Sequence, residues 1–115
     1  MFSHSLEQGV LVLTVHGECG LSGRAPLLTR IGDLVHAYKP APVVVVLEEA
    51  ASVSTVVSVL QVHRMCSQLG VLMSVASHSA PVRRLLEANA DTSGVRMVIH
   101  ARADIAIAAA FTAVA

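Results

Sequence analysis

Hydrophobic positions along this chain alternate between the spacing of a β-strand and that of an α-helix. Five short β-branched or apolar runs predict strands, at residues 2–6, 10–16, 43–47, 71–76 and 95–100. The run Val43–Leu47 is continuously apolar, which is typical of a central parallel strand covered on both faces. Glu7-Gln8-Gly9 lies between the first two runs and predicts a hairpin turn.

Four segments between and after these strands have apolar residues at helical spacing. The first has Ser22 as its start signal, and Pro40 follows its end. The second covers residues 55–69, and its apolar face is formed by Val56, Val59, Leu60, Val62, Cys66 and Leu69. A third helix is expected to start at Ser79 and to be followed by a polar loop at residues 89–94. The fourth covers residues 103–113. In the third helix, Arg83 and Arg84 are expected on a solvated face.

The resulting order, β-β-α-β-α-β-α-β-α, predicts an α/β fold with a mainly parallel or mixed sheet. We expect about five strands and about four helices in one domain that covers residues 1–115. Apolar residues make up 54% of the chain and the formal net charge is zero. Bulk charge therefore gives no reason to expect a nucleic-acid or membrane partner. With no visible signal peptide or membrane-spanning run, we expect a cytoplasmic protein.

Residues that could support catalysis or metal binding are few. Cys19 and Cys66 match no metal-ligand spacing, and two small buried side chains are the simpler interpretation. His16, His78 and His100 each lie at or just past the end of a predicted strand, where open α/β sheets bind ligands. A metal or anion site is one interpretation of these histidines, and solvated or capping side chains are the other. No phosphate-binding loop is present, and no spacing singles out a catalytic triad, so we expect neither an enzyme nor a cofactor.

Four segments of the chain form an ordered set of motifs. Residues 10–18 are an apolar run that ends in Gly17-Glu18, and Val43–Leu47 is the next apolar run. Residues 63–76 and residues 79–87 follow. In order and spacing these segments resemble the second strand, the third strand, the end of the second helix with the fourth strand, and the start of the third helix of the STAS domain, the fold of bacterial anti-sigma-factor antagonists. The likeness covers nearly the whole chain.

The resemblance implies a non-catalytic domain that binds an anti-sigma factor which is also a Ser/Thr kinase. In the family, phosphorylation at an Asp-Ser-Ser/Thr-Gly motif at the start of the second helix blocks that binding. Here the matching residues are Ser52-Val53-Ser54-Thr55, so the hydroxyls are present and the Asp and Gly are absent. Ser54 aligns best as a phosphorylation site, followed by Ser52 and Thr55. The alternative is that one of these hydroxyls only caps the helix.

Partner binding is therefore expected at the start of the second helix and in the loop before it. The candidate contact residues are Glu48, Glu49, Ser52, Val53, Ser54 and Val57. Val57 falls on the polar side of the helical wheel, where burial in the domain's own core does not account for it. The alternative function is a ligand-sensing or scaffolding STAS domain that binds a small anion or nucleotide. A homodimer through the uncharged helical surface is a further possibility that the sequence leaves open.

Overall fold

The strands and helices of the structure follow each other in the predicted order. The computed structural model describes residues 2–16, 20–48, 53–94 and 96–114. The described strands are β1 (Phe2–Glu7), β2 (Val10–Val15), β3 (Val43–Leu47), β4 (Met73–Ser77) and β5 (Val98–His100). The described helices are α1 (Gly20–Tyr38), α2 (Val53–Gln68), α3 (Ala80–Ser93) and α4 (Ala103–Val114). The predicted α/β class, with a mixed five-stranded sheet and four helices, is confirmed.

The sheet places its strands in chain order, β1-β2-β3-β4-β5. β1 runs antiparallel to β2, and β2 to β5 run parallel to one another. The predicted hairpin turn joins β1 to β2 through Gln8 and Gly9, whose φ angles are 54° and 77°. Two positive φ values are what a type I′ turn requires, and Gly9 meets this without steric cost.

The helices divide between the two faces of the sheet. Because each parallel strand pairs with the next one along the chain, right-handed crossovers place α1, α2 and α3 on the same face. They bury the main core there, in which Ile31, Val59 and Leu86 pack against the central strands. α4 covers the opposite face, where Ala106, Ile107 and Ala110 contact a set of strand residues, namely Val10, Val12, Val44 and Ala76.

The buried face of α2 was predicted correctly. Five of its six assigned residues are buried and Leu69 is half-buried, while Gln61, Arg64 and Gln68 are exposed. β3 begins and ends at the predicted residues. β4 is shifted by one or two residues toward the carboxyl end. β5 is shorter than the predicted strand because its pairing with β4 begins at Val98, and residue 95 lies outside the described residues.

The prediction of a polar loop at residues 89–94 is wrong, because α3 continues to Ser93. The Asn89 side chain donates to the Leu85 carbonyl at 2.8 Å, and the Thr92 hydroxyl donates to the Ala88 carbonyl at 2.9 Å. These bonds reach back one turn, so the polar residues are compatible with the helix. Ala90 is buried, which holds this last part of the helix against the protein. Gly94, at φ 68°, ends it with a left-handed cap.

Arg83 also differs from the expectation of a solvated side chain. It is half-buried, and its Nη1 donates to the carbonyls of Ser77 and His78 at 2.8 and 2.9 Å. These carbonyls lie at the end of β4 and just past it. The guanidinium therefore ties the start of α3 to the carboxyl end of that strand. Arg84 is exposed, as predicted.

The N-terminal cap of α3 can be tested by substitution. Ser79 is the N-cap, and its hydroxyl accepts from the backbone N–H of Val82 at 3.3 Å. We expect Ser79→Ala to lower the free energy of unfolding by about 1 kcal/mol, because this N–H loses its acceptor. Urea unfolding measures the change. Ser67→Ala, at an exposed serine inside α2, is the matched control and should leave stability unchanged within about 0.5 kcal/mol. Equal unfolding midpoints for the wild type and Ser79→Ala would contradict the capping role.

Candidate functional site

Those candidate binding residues that the structure describes lie at the carboxyl end of β3 and in the first turns of α2. Glu48 follows β3 directly and is exposed, and α2 begins at Val53. Glu49 and Ser52 lie outside the described residues, so the structure does not place them. This edge is where open α/β sheets bind their ligands, because the connecting loops emerge there together.

An apolar patch is present at the amino end of α2. The Val53 side chain is 54% exposed at the first position of the helix. Val57 lies one turn later on the same side and is half-buried. The solvent-facing stripe then continues through the polar residues Gln61, Arg64 and Gln68. We call Val53 and Val57 the α2 patch; it is the apolar end of an otherwise polar stripe.

The two described candidate hydroxyls are not open to solvent. Thr55 is 1% exposed. The Ser54 Oγ is also buried and has no hydrogen-bond partner within the described part of the chain. Both residues lie inside α2, so neither is its N-cap. A kinase could phosphorylate them only after the first turn of the helix had opened. Whether Ser52 caps the helix or accepts a phosphate stays a prediction.

A hydrogen-bonded set that was not predicted lies at the same edge of the sheet. Ser3 Oγ is 3.0 Å from His16 Nε2, and the other ring nitrogen of His16, Nδ1, is hydrogen-bonded to a carboxylate oxygen of Glu48. The side chains of His16 and Glu48 are 49% and 50% exposed. The imidazole therefore bridges the edge strand β1 and the end of β3.

The strand register explains why these three residues meet. Thr14 pairs with Val46 in the parallel ladder and with Ser3 in the antiparallel one. His16 and Glu48 follow Thr14 and Val46 by two residues each, so they continue on the same face of the sheet. The sequence alone contains one indication of this set, because His16 and Glu48 are polar residues that each lie one position past a strand end. Only the pairing of β1, β2 and β3 in the sheet brings Ser3, His16 and Glu48 together.

The three histidines at strand ends do not form a metal site. His16 pairs with Glu48, and within the residues that the structure describes no group of three His, Cys, Asp or Glu side chains could hold a metal ion. Cys66 is buried as expected, and desolvation raises the pKa of its thiol to about 11, which disfavours the reactive thiolate. Cys19 lies outside the described residues.

Two depressions lie near β5, and neither suits a nucleotide. One is an apolar cavity of about 150 Å³ between α4 and the sheet, lined among others by Leu72, Val98 and Ala113. It is smaller than the sites of about 300–1,000 Å³ that hold drug-sized ligands. The other, of about 300 Å³ between α3 and β5, has two acidic side chains, Glu87 and Asp91, for the single Arg96. That balance of charge is unfavourable for an anion.

Comparison with protein-family models and with curated proteins finds no match to this chain. The resemblance to the STAS domain therefore stays a prediction from the motifs and their order. Among the helices formed by the described residues, none combines the length and apolar character needed to cross a bilayer.

His63, in the middle of α2, is a half-buried titratable group. Desolvation lowers the pKa of its imidazole from the ordinary value of 6.5, and a hydrogen bond to the backbone of Arg96 partly opposes this shift. The unfolded chain therefore binds a proton at this residue more readily than the folded one does. The resulting contribution to stability is present above pH 6.5 and is lost as the pH falls through the lower pKa of the folded state.

We expect His63→Gln to reduce this acid sensitivity. The drop in the free energy of unfolding between about pH 8 and about pH 5 should be smaller in the variant than in the wild type. Urea unfolding at the two pH values measures it. His78→Gln, at an exposed histidine, is the matched control and should leave the drop unchanged. If His63→Gln kept the full wild-type drop, another group would have to control it.

Proposed function

We propose that this chain is a non-catalytic regulatory domain of the STAS type that binds an anti-sigma factor or a related Ser/Thr kinase. The binding surface is the amino end of α2 together with the loop that precedes it. The proposal places the protein in the cytoplasm, where such partners act on transcription. Two kinds of observation support it: the ordered motifs in the sequence, and an exposed apolar surface where the resemblance implies docking.

The exposure of Val53 is the observation that carries the proposal. A valine that is 54% exposed at the first position of a helix contributes little to the protein's own core. A single exposed apolar side chain is common on protein surfaces. Here, however, Val57 extends the apolar surface by one turn. The rest of the stripe is polar, so the apolar surface is confined to the end of α2 next to the strand ends.

The charge around the α2 patch limits the chemistry of the partner. Glu48 is exposed directly after β3, and Glu49 follows it in the sequence. A partner that fits this surface has an apolar pocket for the valines and basic groups at its rim. The apolar contact would supply most of the affinity. The charges would favour this partner over acidic ones and speed association.

The burial of Ser54 and Thr55 favours docking without the family's phosphorylation switch. A phosphate adds close to two negative charges and needs room for three oxygens. Neither hydroxyl has that room while the first turn of α2 is formed. The absence of the motif's Asp and Gly weakens kinase recognition as well. We therefore propose a constitutive interaction, in which the concentration of the partners regulates binding.

Substitution in the α2 patch tests the docking surface. We expect Val53→Glu to weaken binding to a purified anti-sigma kinase by about tenfold or more, because a carboxylate must then be desolvated at the contact. Isothermal titration calorimetry measures the affinity. Gln61→Glu adds the same charge two turns further along the stripe and should change affinity much less. Val57→Glu should also weaken binding, but Val53 gives the cleaner test because it is more exposed. Equal affinities for wild type, Val53→Glu and Val57→Glu would rule out this docking surface.

Incubation with the same kinase and ATP tests whether phosphorylation controls binding. We expect the partner to bind while Ser54 and Thr55 stay unmodified, because their hydroxyls are buried. Peptide mass spectrometry identifies any phosphorylated residue, and binding measured before and after incubation shows whether it matters. Phosphate on Ser52, Ser54 or Thr55, accompanied by loss of binding, would overturn the constitutive model and restore the family's switch.

A further inference from the structure

The set of Ser3, His16 and Glu48 has the connectivity of an activated hydroxyl group. The Ser3 hydroxyl contacts Nε2 of the imidazole at 3.0 Å, and the carboxylate of Glu48 holds Nδ1. A nucleophile, a base within hydrogen-bond reach of it, and a third group that orients the base are the elements of nucleophilic catalysis by serine.

The positions of the protons follow from the partners. An ionised carboxylate can only accept a hydrogen bond, so Nδ1 of His16 carries the proton in its bond to Glu48. In the neutral imidazole Nε2 is then unprotonated. The Ser3 hydroxyl therefore donates to it. This is the arrangement in which an imidazole can remove the serine proton during attack.

We propose that Ser3 is a nucleophilic serine that accepts an acyl group from activated esters or thioesters, with His16 as the base and Glu48 as a positioning residue. The proposed step ends at the acylated serine without turnover, so it is a modification of the protein that is compatible with a non-catalytic binding domain, and it does not rest on the proposed function. It assigns chemistry to residues in which the sequence alone showed no catalytic pattern.

The proposed step is balanced without any further reactant. Ser3 Oγ attacks the carbonyl carbon of the acyl donor, while its proton moves to His16 Nε2. The tetrahedral intermediate collapses, the bond from carbon to the leaving oxygen or sulfur breaks, and His16 returns the proton to that leaving group. The products are an acyl ester of Ser3 and the free alcohol or thiol, with His16 neutral again.

The position of Ser3 allows a donor to reach it. β1 is an edge strand, Ser3 is exposed, and the imidazole beside it is about half exposed. Ser5 provides an internal comparison because it lies two residues along the same strand, on the same face and also exposed. Its hydroxyl donates to the Glu7 carboxylate at 3.2 Å and not to an imidazole. The two serines thus differ mainly in their hydrogen-bond partners.

Acylation of the purified full chain by p-nitrophenyl acetate tests the proposal. Peptide fragmentation mass spectrometry follows the time course of acetylation at Ser3 and at Ser5. The fragments distinguish acetylated serines from acetylated amines and histidines. We expect Ser3 to react about 100-fold faster than Ser5, the gain that a positioned base provides. Because this comparison is made within the wild-type chain, it does not depend on the folding of a variant.

Three variants assign the roles, and circular dichroism confirms that each is folded. His16→Gln should reduce the rate at Ser3 to that at Ser5. Glu48→Gln should reduce it by about tenfold or more, because the imidazole loses its orienting charge. Ser3→Ala should abolish the fast reaction and leave the rate at Ser5 unchanged. Equal rates at Ser3 and Ser5 in the wild type, or an undiminished rate at Ser3 in His16→Gln, would overturn the proposal.

Discussion

The parallel alignment of β3 with β2 and β4 is the constraint on which the rest of the structure depends. β3 consists of four valines and a leucine, with the α1–α3 core on one face and α4 on the other. Its neighbours β2 and β4 both run in the same direction as β3, so β3 is hydrogen-bonded in a parallel ladder on each side. Right-handed crossovers then place α1, α2 and α3 on the same face. The other face is left to α4, whose alanines allow the helix to lie close to the sheet.

The same alignment decides where chemistry can occur. Parallel strands end at one edge, so the residues that follow them are brought together although they are far apart in the chain. Glu48 illustrates this, since it follows β3 directly and also contacts His16 beyond the end of β2. The α2 patch and the Ser3–His16–Glu48 set therefore both lie toward the carboxyl ends of the parallel strands. They involve different physics, however: apolar contact in one case and proton transfer in the other.

At the start of α2, burial decides which side chains of a sequence motif are accessible. In the sequence, Ser54 and Thr55 are hydroxyls at a helix start, and this pattern suits a phosphate or a cap equally well. In the structure, Thr55 is buried and the Ser54 Oγ is covered, while Val53 projects into solvent. Helical rotation of about 100° per residue separates these side chains, and the sheet beneath determines which of them is covered. The apolar side chain becomes the accessible feature of the segment.

The sequence by itself determined the fold class, the limits of β3, the buried face of α2 and the start of α3 near Ser79, because each depends on local periodicity or a local start signal. It failed at the end of α3, where bonds one turn back and the burial of Ala90 outweigh the low helix propensity of Asn and Thr. Only the tertiary structure decided that Ser3, His16 and Glu48 meet, and that Arg83 binds the end of β4. Those contacts depend on strand register and helix placement, which arise from pairing between distant segments and leave no periodic signal in the chain.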